Sequence, residues 1–169
     1  MEKHPHFVKG KRILDLGSGT GITGFVAAAL GASEVYVTEY DNKILMDLLE
    51  RNVKLNEYKN GSKVFAKALT WGNQEHHKEL NPPFDLIIGS DLLYQERWVQ
   101  DLLNTFTSCL SKDQNSKIII SYKKRPGKEA PFLLLREAQK LSFKIEKVDF
   151  ESLDPCFRDP QIEIVHIHF

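Results

Sequence analysis

No stretch of this chain approaches the ~18 consecutive apolar residues of a membrane-spanning helix, and the opening MEKHPHFVKG lacks the apolar centre of an export signal. Cysteine is scarce. Cys109 and Cys156 are the only two and form no CxxC, which excludes a disulfide framework and a cysteine-rich zinc site. A surplus of either charge is missing too. Lys and Arg number 23 against 23 Asp and Glu, for a net charge of +0, so no bulk positive field points to nucleic acid or to an anionic membrane as partner. Repeats, low-complexity tracts and linker-like runs are absent as well. What remains is a chain of 169 residues, 41% hydrophobic. That is the size of one domain on a prior of ~150 residues, able to bury roughly 70% of its unfolded surface without a staple. The expectation is one soluble domain spanning 1–169, cytoplasmic or nuclear, with no metal centre.

Strand-like and helix-like segments alternate along the chain, the pattern of a parallel sheet flanked by helices. Arg12–Leu16 (RILDL) reads as a buried strand. Ile22–Leu30 reads as an alanine-rich helix stopped by Gly31. Glu34–Glu39 (EVYVTE) is a β-branched second strand. Apolar residues at 44, 45, 48, 49, 53 and 55 predict a helix over 41–56, with Asp41 or Asn42 as N-cap and Asn60-Gly61 as terminator. Lys63–Leu69 and Phe84–Ser90 follow as strands three and four. Trp98 or Val99, Leu102, Leu103, Phe106 and Leu110 make the stripe of another helix. Lys117–Tyr122 is a fifth strand, and Pro131 suits the first turn of a helix running to about Lys140. The tail differs, because no helix lies between Phe143–Phe150 and Ile162–Phe169. Two strands without a crossover pair most simply as antiparallel neighbours.

After the first strand comes Gly17-Ser18-Gly19-Thr20-Gly21, opening directly into a helix. Glycines there let backbone N–H groups approach a ligand, and a helix N-terminus favours polar or negative groups. Gly19–Gly24 also fits GxGxxG, and acidic Glu39 stands twenty residues after Gly19, placed to accept from both hydroxyls of a ribose. Strand, glycine loop, helix, strand and terminal acid in that order point to a nucleoside cofactor. A tight turn needing positive φ explains one glycine, but not three at alternate positions plus the acid. This pattern does not separate NAD from S-adenosylmethionine, since both carry adenosine. Asp15 favours the second: a carboxylate there is placed to reach the loop or a cationic cofactor, and would repel a pyrophosphate. Ser90-Asp91-Leu92-Leu93-Tyr94 sets a carboxylate and a phenol at the far end of the fourth strand, the edge where open α/β sheets bind ligands.

At these residues the chain resembles the class I, seven-strand S-adenosylmethionine-dependent methyltransferases. ILDLGSGTG is similar to their first motif and VTEY to their acidic second-strand end. More narrowly, Leu69-Thr70-Trp71-Gly72 followed by Ser90-Asp91-Leu92-Leu93-Tyr94 resembles the methyltransferase-like protein-lysine branch, with its Asp/Glu-x-x-Tyr/Phe motif after strand four. The likeness runs from about Arg12 to Phe169. It implies a Rossmann-like, doubly wound seven-strand sheet, mostly parallel with an antiparallel last strand. It also implies S-adenosylmethionine as cofactor and methyl transfer to a protein side chain, lysine first. Members of the branch act on heat-shock chaperones, the valosin-containing AAA ATPase and elongation factors, so such proteins are the implied partners.

By the same resemblance Gly17, Ser18 and Gly19 face the methionine and ribose portions, Asp15 and Gly21 count with them as cofactor-binding residues, and Glu39 holds the ribose hydroxyls. Trp71 packs against adenine with Ser90 near it, while Asp91 and Tyr94 stand at the acceptor end. Family members carry a longer segment before the first motif, with a Trp that closes the cofactor pocket. Here only Met1–Lys11 precede the first strand, with no Trp, so either the sequence is truncated there or the lid is missing, and cofactor affinity is the property this departure bears on.

Other readings stay open. Asp91 suits a helix N-cap, since a helix is expected just after it, and Tyr94 suits a packed aromatic. His166 and His168 alternate on one strand face, as half-exposed surface rather than a metal pair. Lys123-Lys124-Arg125 and Lys128 form a basic loop, either solvated or docking an acidic substrate surface. Asn81-Pro82-Pro83-Phe84 looks like a base-methylating motif but precedes the fourth strand instead of following it. A small-molecule or nucleic-acid methyltransferase, an NAD-dependent oxidoreductase and a catalytically silent adenosine-binding module are the alternatives.

Overall fold

The computed structural model describes residues 3–169, so Met1 and Glu2 of the leading segment lie outside the described residues. Seven strands form a single sheet: β1 (Arg12–Leu16), β2 (Glu34–Glu39), β3 (Lys63–Ala68), β4 (Leu86–Ser90), β5 (Lys117–Lys123), β6 (Lys144–Lys147) and β7 (Ile162–His168). Their order is β3-β2-β1-β4-β5-β7-β6. The first five pair in parallel. β7 inserts between β5 and β6 and runs antiparallel to both, as the helix-free tail predicts. The long apolar strands are the central ones because parallel strands are covered on both faces. Four of five residues in β1 are buried and four of five in β4, whereas edge strand β3 has none fully buried.

Five helices cover the sheet: α1 (Ile22–Ala29), α2 (Lys43–Lys54), α3 (Gln74–Glu79), α4 (Val99–Cys109) and α5 (Ala130–Lys140). Side chains alternate across a strand, so adjacent residues feed opposite cores. Ile13, Val35 and Val37 pack with Ala27, Ala28 and Leu49 of α1 and α2. Leu14, Leu16 and Ile87 pack with Leu103 and Phe106 of α4 and Leu134 of α5. The chain winds outward through β2 and β3, then returns across β1 to start β4. That reversal opens a crevice at the carboxyl ends of β1 and β4.

Local chemistry accounts for the boundaries. Asn42 caps α2, its side chain accepting from the amides of Ile44 and Leu45 at 3.0 and 3.3 Å. α2 stops at Lys54, before Asn60-Gly61; Asn60 instead donates to the Ala28 carbonyl at 2.8 Å and ties the β3 approach to α1. Trp98 ends a 3₁₀ turn (Glu96–Trp98) and α4 begins at Val99. Phe84 makes only an isolated bridge to Leu110, and β4 proper starts at Leu86. α3 was not legible, because QEHHKE carries no apolar stripe.

Candidate active site

Three glycines after β1 hold backbone conformations that L side chains rarely adopt: φ is 53° at Gly17, 56° at Gly19 and 89° at Gly21. Gly17 is also crowded, since a Cβ there would stand 2.8 Å from Leu92 Cδ2 and 3.4 Å from Trp71 Cζ2. Around Gly19 there is open space. Ser18 donates its amide and its hydroxyl to the Thr38 carbonyl, at 2.8 and 3.1 Å, which ties the loop to β2. Gly21 is the N-cap position of α1. Glu39, last in β2, accepts from the Gly19 amide at 2.9 Å with one oxygen and from the Tyr40 amide at 2.9 Å with the other. The acid and the loop therefore form one rim, and each Glu39 oxygen keeps further acceptor capacity.

Asp15 lies beneath that rim. It is 1% exposed, and its carboxylate accepts the Gly24 amide at 2.8 Å. Burial pushes its carboxyl up to about 7, against the pull of the Gly24 amide, and the charge of Glu39 adds to the rise. It organises the first turn of α1 from below.

A cavity of ≈ 250 Å³ opens beside the loop, walled by Gly17, Glu39, Tyr40, Leu69, Thr70, Trp71, Tyr94 and Trp98. Four of the residues singled out from the sequence share it: Gly17, Glu39, Trp71 and Tyr94. Tyr40, Thr70 and Trp98 were not foreseen. Tyr40 carried a signal in directly following the acid. Trp98 was read as part of a helix stripe, yet both tryptophans of the chain line this cavity.

The far end of β4 meets β5. Ser90 Oγ lies 3.2 Å from Ser121 Oγ, and the Asp91 amide donates to the Ser121 carbonyl at 2.8 Å. Asp91 has φ 58°, a left-handed conformation that aspartate tolerates better than most residues. No helix starts behind it. α4 begins only at Val99, which corrects the N-cap reading. The Asp91 carboxylate is instead gripped by both terminal nitrogens of Arg125, at 2.8 and 2.7 Å. That fork holds its carboxyl below the usual carboxylate range. Arg125 belongs to the basic loop, and nothing local in the sequence pairs it with a carboxylate 34 residues away. His166 packs edge-on against Phe7, and His168 meets Glu146 at 3.3 Å.

The residues suit an adenosine-bearing cofactor. Open space above Gly19 admits a ligand against the backbone, Glu39 offers acceptors for a pair of hydroxyls, and the Trp71 ring supplies an aromatic wall for a base. A pyrophosphate would meet Glu39 and no basic side chain among the residues lining the cavity.

Comparison with known proteins bears on this site. A family described as lysine methyltransferase matches residues 1–139. The chain is 36% identical to protein N-lysine methyltransferase METTL21A of Mus musculus, over 85% of this chain and 62% of that protein. It is 34% identical to calmodulin-lysine N-methyltransferase of Arabidopsis thaliana, over 73% of this chain and 41% of that one. The chain thus spans 62–66% of the length of the METTL21A relatives it matches. Among solved structures, ribosomal protein L11 methylase from Lactobacillus delbrueckii subsp. bulgaricus superimposes with a TM-score of 0.67 at 21% identity, over 95% of this chain and 70% of that one. SMU.776, solved with SAH, gives a TM-score of 0.67 at 16% identity, over 96% and 46%. These likenesses in structure establish a shared Rossmann-like methyltransferase fold.

Proposed function

The chain belongs to the lysine methyltransferase family, and from that premise we propose that it transfers a methyl group from S-adenosylmethionine to a lysine of a protein substrate. The observation that carries the proposal is the continuity of the two ends. The cavity bounded by Glu39 and Trp71 reaches Tyr94, three residues beyond Asp91 on the same sheet edge. A chaperone, an AAA ATPase or an elongation factor is the proposed kind of substrate.

Gly17, Ser18 and Gly19 would face the methionine and ribose portions, Glu39 would accept the ribose hydroxyls, and Trp71 would cover adenine. When bound, S-adenosylmethionine supplies a methyl group on a sulfonium leaving group, so the protein has no electrophile to create. Two tasks remain for its residues: alignment and an unprotonated acceptor. Alignment of bound reactants contributes about 7–11 kcal/mol. Deprotonation is an obstacle, since a free lysine has a pKa of ~10.4, and a lone carboxylate beside it raises that pKa further. Asp91 avoids this conflict. Its charge is balanced by the Arg125 fork, so it orients an amine through its remaining lone pairs without holding it as ammonium. Tyr94 walls the channel beside it, and the proton leaves to water.

The test is tritiated-methyl labelling of a cell extract, followed by mass spectrometry of the labelled band. A methylated lysine is the expected result. A methylated nucleic acid or small molecule, or tight NAD binding without transfer, would overturn the proposal.

A further inference from the structure

Two backbone amides flank Trp71, and neither belongs to a strand ladder. The Thr70 amide donates to His76 Nδ1 at 3.1 Å. The Gly72 amide donates to Thr105 Oγ1 at 3.0 Å. The tryptophan that walls the cavity is thus held by a side chain on each side, His76 from α3 and Thr105 from α4.

The Thr105 hydroxyl is saturated. A hydroxyl has one proton and two lone pairs. The proton goes to the Asp101 carbonyl at 2.8 Å, and one lone pair takes the Gly72 amide. The other meets His77 Nε2 at 3.1 Å, which requires the Nε2–H tautomer. His77 Nδ1 is left bare, buried and without a partner among the described residues. A second proton on that ring would have no acceptor, so His77 stays neutral, and burial holds its pKa below the ordinary value. Thr105 is itself 0% exposed and His77 4%.

This accounts for a short helix that the hydrophobic pattern did not predict. α3 contributes little apolar surface, but its two adjacent histidines serve the loop, one directly and one through Thr105. The loop lies tight on α4: Gly72 has φ +77°, and a Cβ there would stand 2.7 Å from Asp101 Oδ1. On the other side the Trp71 ring edge reaches the glycine loop at Gly17. Any drift of the 70–72 backbone therefore changes the distance between the aromatic wall and the glycine rim.

We infer that Thr105 and His76, with His77 fixing the Thr105 hydroxyl, are positioning residues that set the Trp71 wall for an adenosine ligand, an assignment that rests on reading this cavity as the cofactor site. None of the three lines the cavity, so each acts through the amides beside Trp71. Removing an acceptor leaves a half-buried amide unsatisfied and frees the loop.

The test measures S-adenosylhomocysteine and methylthioadenosine affinity by calorimetry, with melting curves on the same samples. Thr105→Val keeps the shape and removes the hydroxyl; Thr105→Ser keeps the hydroxyl. Expected is a roughly tenfold weakening of both ligands in Thr105→Val, equal for the two because they share adenosine, and near-wild-type affinity in Thr105→Ser. His76→Ala leaves the α4 core untouched and should weaken both ligands similarly, which keeps the test available if Thr105→Val fails to fold. A purely structural role would lower melting temperature in these variants while leaving the affinity of the folded fraction unchanged, and that result overturns the inference. Trp71→Ala separates the two levels. If it too binds with wild-type affinity, the cofactor reading itself fails; if it binds weakly while Thr105→Val and His76→Ala do not, only the positioning assignment falls.

Discussion

Asp15 offers the sharpest physical test, because its surroundings make a quantitative demand. Its carboxyl is buried and pushed up to about 7 in the fold, from an ordinary 3.8. The folded state therefore prefers the protonated acid more than the unfolded chain does. The associated stability is fully present below pH 3.8, declines as pH rises, and is gone above about 7. A shift of about three units at 1.36 kcal/mol each amounts to roughly 4 kcal/mol across that window. Asp15→Asn removes the titration and keeps a carbonyl able to accept the Gly24 amide, at a pH-independent cost for its extra N–H groups of about 1–3 kcal/mol. Urea unfolding of both proteins at half-unit steps from pH 4.5 to 8.5 isolates the effect, since every other titrating group cancels in the difference. The stability of Asp15→Asn relative to wild type should climb by about 1.4 kcal/mol per pH unit up to pH 7 and then level off. A flat difference would refute the claim that Asp15 is forced toward neutrality, and would mean that the Gly24 amide offsets or outweighs burial.

Three further outcomes are expected. Glu39→Ala removes a charged acceptor worth ~1.5–3 kcal/mol, so calorimetric titration should show S-adenosylmethionine binding weakened tenfold or more; unchanged affinity would remove the ribose assignment. Asp91→Asn keeps the shape but breaks the Arg125 fork, so methyl transfer should fall by orders of magnitude while cofactor affinity stays near wild type, as followed by tritium incorporation beside a binding titration. Gly24→Ala drives a Cβ to 2.4 Å from Val37 Cγ1 and 3.1 Å from Asp15 Oδ2, and such overpacking costs about 1–3 kcal/mol, visible as a lower melting temperature.

The sheet was legible because its signals are local. An apolar run followed by alternate glycines fixes β1 and the loop, twenty residues of spacing fix Glu39, and a tail without a crossover helix fixes the antiparallel pair. The partnership of Asp91 with Arg125 was not legible, since it depends on β4 lying beside β5. The missing helix behind Asp91 was hidden for a related reason: Leu92 and Leu93 are buried in the core, with Leu92 set against Gly17. Trp98 reads equally well as a helix-stripe residue and as a cavity wall. α3 escaped notice because its purpose is polar.

The strand order has a consequence for descent. Glu39 and Trp71, proposed to hold the ribose and cover the adenine, come from the first 71 residues, beside β2 and β3, while Ser90, Asp91, Tyr94 and Arg125 belong to β4, β5 and the loops after them, across the reversal. The loop after β5 supplies none of the cavity's lining among the described residues, so it can change in length, charge and shape without disturbing Glu39 or the glycine rim. Lineages of such a protein are free to exchange one acceptor for another while inheriting the same cofactor grip, with Gly17, wedged between Leu92 and Trp71, as the point where the two halves must continue to agree.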